Sequence, residues 1–385
     1  MLLMLTLHEV GHTLGLNHNM KSSQLHSNAV IHDDSITKGI LTGSVMDYGA
    51  LNVALPGKKQ GDYFSVRPGP YDDWAIQFGY DPDIEGDARD ALLARSTEPE
   101  LTFGNDADDM RSPGGGIDPF VNIWDMTSDA MDFSEDQFDL IDMVAPKLKA
   151  KLAEDGKSYA KLRAATGVMI AYKRRGATTI ANYVGGVKVD RALQGQAGGG
   201  TPYTPVSLAL QEKAMKLLKD RIFAPDAFEI PEELFAYSAH QRRGFSMYGK
   251  TEDPKPHAAV LSVQKSVLDR LMNPVVMTRI TDTALYGNEY SLNAMMSDLN
   301  DAIFAADLSG SVNSMRQNLQ VEYVRRLTSM IGPKSRHDYR SKAAAFAEVK
   351  RIQSWMKKRS RGDASTSAHR AYVKHLIDSA LDTSS

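Results

Sequence analysis

The chain has 385 residues, of which 42% are hydrophobic and 24% charged, a globular composition with room for two or three domains. A net charge of −3 gives no reason to expect a nucleic acid partner, and no apolar run is long enough to cross a bilayer. Zero cysteines exclude disulfides, Cys-ligated metal and thiol chemistry, while leaving the compartment open.

In chain order, the apolar stretch Met1 to Leu7 lacks a basic n-region and runs directly into His8, so it reads as the first turns of a helix and not as a signal peptide. The run His8-Glu9-Val10-Gly11-His12-Thr13-Leu14-Gly15-Leu16-Asn17-His18 follows. On a helix His8 and His12 leave the same face and can share one ion. Glu9 is angled away from that ion, which suits a general base acting on water better than it suits a third ligand. Gly15 lets the backbone turn sharply, because only glycine enters left-handed geometry without strain. The turn brings His18 back as third ligand and leaves a fourth position open. Three neutral imidazoles, a carboxylate and an open site describe a catalytic zinc (Zn2+), with His8, His12 and His18 as metal ligands and Glu9 as the catalytic base.

Downstream, Ser44-Val45-Met46-Asp47-Tyr48 follows a glycine-bearing stretch, and Pro70 with Asp72 starts a helix running through Trp74, Ile76 and Tyr80. Taken alone, Met46 would be an ordinary core methionine. After the zinc motif, SVMDY resembles the Met-turn of the metzincin metallopeptidases, whose methionine packs beneath the zinc-binding histidines. HEVGHTLGLNHN, SVMDY and PYDDWAIQFGY together are similar to a bacterial zinc-dependent metallopeptidase family in which a long helical region follows the zinc motif. The resemblance implies a structural role for Met46 as the floor of the site. It gives Tyr48 either a part in stabilising the oxyanion, as in the astacin and serralysin branches, or a packing place on the cleft wall. Asn19 stands after the third histidine, where other metzincin branches carry different residues.

Metzincins also build a twisted sheet ahead of this helix, whose edge strand pairs with extended substrate. The motif lies at the first residues here, so the chain resembles the C-terminal portion of a longer protein. The resemblance implies a zinc metalloendopeptidase acting on protein or peptide substrate, and an extracytoplasmic place: periplasmic, envelope-associated or secreted. The alternative is a catalytically incomplete zinc-binding helical interaction protein.

Three regions are expected: a zinc-binding subdomain over 1–97, an acidic, Gly-rich connector over 98–133, and a helical domain over 134–385. Between Glu100 and Asp142 twelve acidic residues face one basic residue, Arg111. Asp106, Asp108 and Asp109 do not have EF-hand spacing, so a solvated connector is favoured over a calcium loop. Ser134-Glu135-Asp136 reads as a helix start leading to about Glu154.

Apolar residues then recur at helical spacing over Ser158–Tyr172, Val206–Phe223, Ala258–Met272, Leu292–Leu308, Val312–Ile331, Lys342–Met356 and Ala368–Leu381. Tyr183 to Val189 reads as a hairpin turning at Gly185-Gly186, followed by a glycine linker over Gln194–Thr201. His26 and His32 are assigned to the surface rather than the cleft. Arg340–Arg361, with eight basic residues against one acid, is assigned to a solvated helical face. The fold class is mainly α: a C-terminal metzincin subdomain followed by a helical domain with one small β-hairpin.

Overall fold

Helix Leu2–Thr13 stops where its glycine predicts. Gly15 takes φ +86°, the Leu16 N–H bonds the Gly11 carbonyl at 3.0 Å, and the Gly15 N–H bonds that of His12 at 3.1 Å. These paired bonds cap the last turn and redirect the chain. The computed structural model describes residues 1–357 and 361–382. Most of them are helical, and the β structure is one two-stranded antiparallel ladder, so the chain is mainly α as expected. No helix among the described residues is long and apolar enough to cross a membrane.

The chain divides into two compact units, Met1–Gln137 with Gly186–Val206, and Phe138–Gly185 with Ser207–Ser385. In the first, a long, largely irregular segment runs from helix Leu2–Thr13 to helix Pro70–Tyr80, and five residues lead on to helix Gly86–Ala94. Ile31, Leu41, Ala50, Met126 and Phe133 form one buried cluster, and Met20, Val121 and Ile123 another. Leu2, Leu3, Leu5, Val10 and Leu14 leave an exposed apolar face on the first helix.

The acidic segment is not the solvated connector its composition suggests. Asp109, Asp118 and Asp125 are buried in the first unit. Asp118 pairs with Lys21 at 2.6 Å and accepts the Val189 N–H at 3.1 Å, while Asp108 pairs with Arg191 and Asp109 with Arg111. Lys21 and Arg191, distant in sequence, supply neutralisation that the segment's own Arg111 alone does not.

The hairpin differs too. Val187–Val189 pairs with Tyr203–Pro205, in the register Val187 to Pro205, so the glycine stretch expected as a linker lies within the strand connection. Gly185 and Gly186 precede the first strand, and the Val187 N–H is taken by the Ile117 carbonyl at 2.8 Å. The diglycine therefore makes no hairpin turn.

Helix Ala130–Val144 begins four residues ahead of Ser134, because the Asp129 carboxylate accepts the N–H groups of Met131 and Asp132, both at 3.1 Å. Pro146 falls in a short 3₁₀ turn, Ala145–Lys147, before Leu148–Leu152.

The second unit is a helical assembly that includes Ala160–Asn182, Leu208–Leu218, Pro256–Leu271, Leu292–Phe304, Ser314–Ile331, Tyr339–Met356 and Ala364–Asp382. Ser207, Ser291, Asn313 and Asp338 cap four of these through their side chains. Val263, Val267, Leu299, Ile303, Tyr323, Val324, Val349 and Ile377 are among the residues that fill its core. Arg316 is buried there, held by Asp307 at 2.7 Å and by backbone carbonyls of Phe223, Ala302 and Ile303. Tyr339–Met356 carries most of the basic stretch Arg340–Arg361, in which residues 358–360 lie outside the described residues. Arg351 there is not simply solvated: it pairs with Asp301 at 2.7 Å.

Candidate metal centre

His8 and His12 leave one face of the first helix, and the turn at Gly15 carries His18 to them. Candidate ligand atoms of the three rings lie within 4.8 Å of one another, and the Nε2 atoms of His12 and His18 are 3.1 Å apart. Two nitrogens sharing a tetrahedral zinc at its ordinary bond length would stand about 3.3 Å apart.

Each ring has its other nitrogen engaged. His8 Nδ1 lies 2.8 Å from the Val45 carbonyl oxygen, His12 Nδ1 3.0 Å from that of Leu16, and His18 Nδ1 2.6 Å from Asp106 Oδ2. Such acceptors place the proton on Nδ1 and leave the Nε2 lone pair for a cation. His8 Nε2 is buried and has no hydrogen-bond partner among the described residues. An orphaned buried nitrogen is costly by itself and is satisfied by an ion. Burial, followed by the neighbouring His12 and His18, holds the His8 imidazole below its usual pKa and therefore neutral near pH 7. Convergence, tautomer and charge fit a divalent metal with nitrogen ligands, zinc foremost.

Glu9 is exposed, one position on from the buried His8. Met46 is fully buried, and its sulfur lies against Gly11, so near that a Cβ there would overlap it. The Met-turn is clamped by Asp72, which accepts from Ser44 Oγ at 2.5 Å and from the Val45 and Gly69 N–H groups, each at 2.8 Å. Burial pushes the Asp72 carboxyl above its usual range. The Met46 carbonyl in turn accepts the Asn19 N–H at 3.1 Å, joining the floor to the residue after the third histidine. Asn19, buried, goes on to bond the Thr102 carbonyl and the Gly104 N–H.

The Tyr48 ring lies 4.9 Å from the His8 ring and 4.7 Å from the His18 ring, centroid to centroid, and is partly exposed. Its carbonyl accepts from Trp124 N–H at 2.7 Å, and Trp124 takes φ +63°, a left-handed conformation uncommon outside glycine. Beside this turn Asp47 and Asp125 form a buried acidic pair. Asp47 accepts from Ser22 Oγ at 2.9 Å, and burial raises both carboxyls above their usual range, Asp125 adding to the rise at Asp47.

The sequence-designated residues His8, His12, His18, Glu9, Met46 and Tyr48 thus occupy one region of the first unit. His26 and His32 do not join the imidazole group: His26 Nε2 meets the Ile40 carbonyl at 2.9 Å and His32 Nδ1 meets Asn52 at 3.3 Å, both rings partly buried. Sequence reading missed Asp106 as the partner of His18, and it also missed the contact that requires glycine at position 11. The only local signal for Asp106 was an excess of acid too large to be neutralised nearby.

No curated protein and no solved structure matches the chain. A family model described as Met-zincin matches residues 1–310, and the chain belongs to that family.

Proposed function

We propose that the chain is a zinc-dependent endopeptidase, with His8, His12 and His18 as its ligands and Glu9 as general base. The observation that carries this is the convergence of three imidazoles whose Nδ1 atoms all face oxygen acceptors, above a buried methionine and beside an exposed carboxylate. When bound, zinc supplies Lewis acidity, easing the deprotonation of water and polarising the scissile carbonyl.

Glu9 takes the proton of the attacking water and passes it to the departing amine. Its exposure leaves it open to both water and substrate. Tyr48 donates its hydroxyl to the carbonyl oxygen as negative charge develops there. Met46 holds the helix and the His18 turn at a fixed separation, so the ligands keep their geometry through the reaction. The substrate is protein or peptide, and the extracytoplasmic location implied by the family resemblance is part of the same proposal.

Glu9→Gln tests the reading. The variant is expected to bind one zinc per chain, as wild type does, and to lose casein hydrolysis by at least 100-fold, on the order of a general-base contribution. Equal hydrolysis by variant and wild type rejects Glu9 as base. Zinc uptake without turnover of any peptide by wild type favours a metal-binding protein without catalysis.

A further inference from the structure

We propose that Asp106 is a positioning residue for the third ligand, fixing the His18 ring and strengthening its Nε2 as a donor; this rests on the zinc reading above. The three candidate ligands are not supported alike. His8 and His12 face backbone carbonyls, at 2.8 and 3.0 Å, whereas His18 faces a carboxylate at 2.6 Å, 88 residues further along the chain. A carboxylate accepting the Nδ1 proton makes a shorter, charge-assisted bond and draws positive charge onto the ring, which makes the opposite nitrogen more basic.

Asp106 is itself restrained. Its Oδ1 accepts from Arg111 Nη2 at 3.1 Å, and the Arg111 Nε is paired with Asp109, a carboxylate only 4% exposed at the side chain. The Arg111 backbone N–H bonds the same Asp109 at 2.7 Å. A relay His18–Asp106–Arg111–Asp109 therefore runs from the ligand cluster to a buried anchor. His18 needs such support most, for it stands on a turn beyond the helix end, where backbone geometry restrains a ring less than it restrains His8 and His12. An exposed ion pair at Asp106 would contribute little to folding. Its effect falls instead on the orientation and basicity of one imidazole.

The test is zinc affinity, measured by competition with a chromophoric chelator, and the visible spectrum of cobalt-substituted protein. Asp106→Asn keeps the shape and removes the charge. It is expected to bind zinc about 10- to 100-fold more weakly, with altered cobalt bands. Arg111→Met leaves the carboxylate but frees it, and is expected to weaken zinc several-fold; it decides the matter if the first variant does not fold. Affinities within twofold of wild type, with unchanged cobalt bands, overturn the inference. Wild type binding one zinc while Asp106→Asn matches it rejects this role alone. Wild type taking up no zinc rejects the underlying metal reading as well.

Discussion

The Met46 sulfur occupies the space that a Cβ on Gly11 would need. Met46 and the first helix therefore meet through a residue without a side chain, between His8 and His12. Gly11→Ala forces the thioether or the helix aside, an overpacking expected to cost about 1–3 kcal/mol. Zinc affinity should fall with it, because His8 and His12 flank the displaced turn. Urea unfolding together with a zinc titration checks both, and wild-type values in each would show that Met46 gives way freely.

Tyr48→Phe tests the proposed oxyanion role of this tyrosine against simple packing. As an oxyanion donor its loss should lower kcat about 100-fold with KM and zinc content unchanged. A ring that merely packs on His8 and His18 would leave kcat near wild type, since phenylalanine keeps the ring. Steady-state kinetics on a fluorogenic peptide distinguishes them.

Asp72 serves three donors of the Met-turn region. Asp72→Ala leaves two buried backbone N–H groups and a hydroxyl without their acceptor. A stability loss of about 2 kcal/mol is expected, read as a lower urea midpoint. An unchanged midpoint would mean that water replaces the carboxylate.

The buried pair Asp47 and Asp125 sets a pH dependence. Burial raises both folded-state values above the ordinary 3.8, so the folded chain binds more protons than the unfolded one. Stability from this pair is complete below 3.8 and declines as pH rises through the raised values. Asp125→Asn removes one titrating group and the repulsion on the other, so stability should fall less steeply between pH 5 and pH 8 on the order of the linkage expected for one carboxyl. Urea unfolding across that range with parallel wild-type and variant curves would contradict it.

That His8, Glu9, His12 and His18 share one neighbourhood was legible because helix periodicity and one obligatory glycine place them within a short span. His8 and His12 need only the period of a helix, and His18 only the turn at Gly15. Asp106 was not legible, since its partner is distant in sequence and carboxylates look alike until a fold selects one. The acidic segment misled for the same reason: Lys21 and Arg191 neutralise Asp118 and Asp108 from far along the chain. The one small hairpin is present, but a local rule misplaced its turn, because a diglycine signals a turn while the strand partner lies beyond the next glycine stretch. Helix starts were read late where an Asx cap such as Asp129 stood ahead of the acidic cluster.

Oxygen acceptors stand at all three Nδ1 atoms, so the polypeptide itself favours the same tautomer at each of the three rings. On the proposed zinc reading, an ion would meet rings whose Nδ1 sides are already held by the fold. Such a site would belong to a unit with buried apolar clusters of its own, unlike the small zinc modules that fold around their metal. A chelator should consequently empty it and leave the fold standing, and returning zinc should refill it without a refolding step.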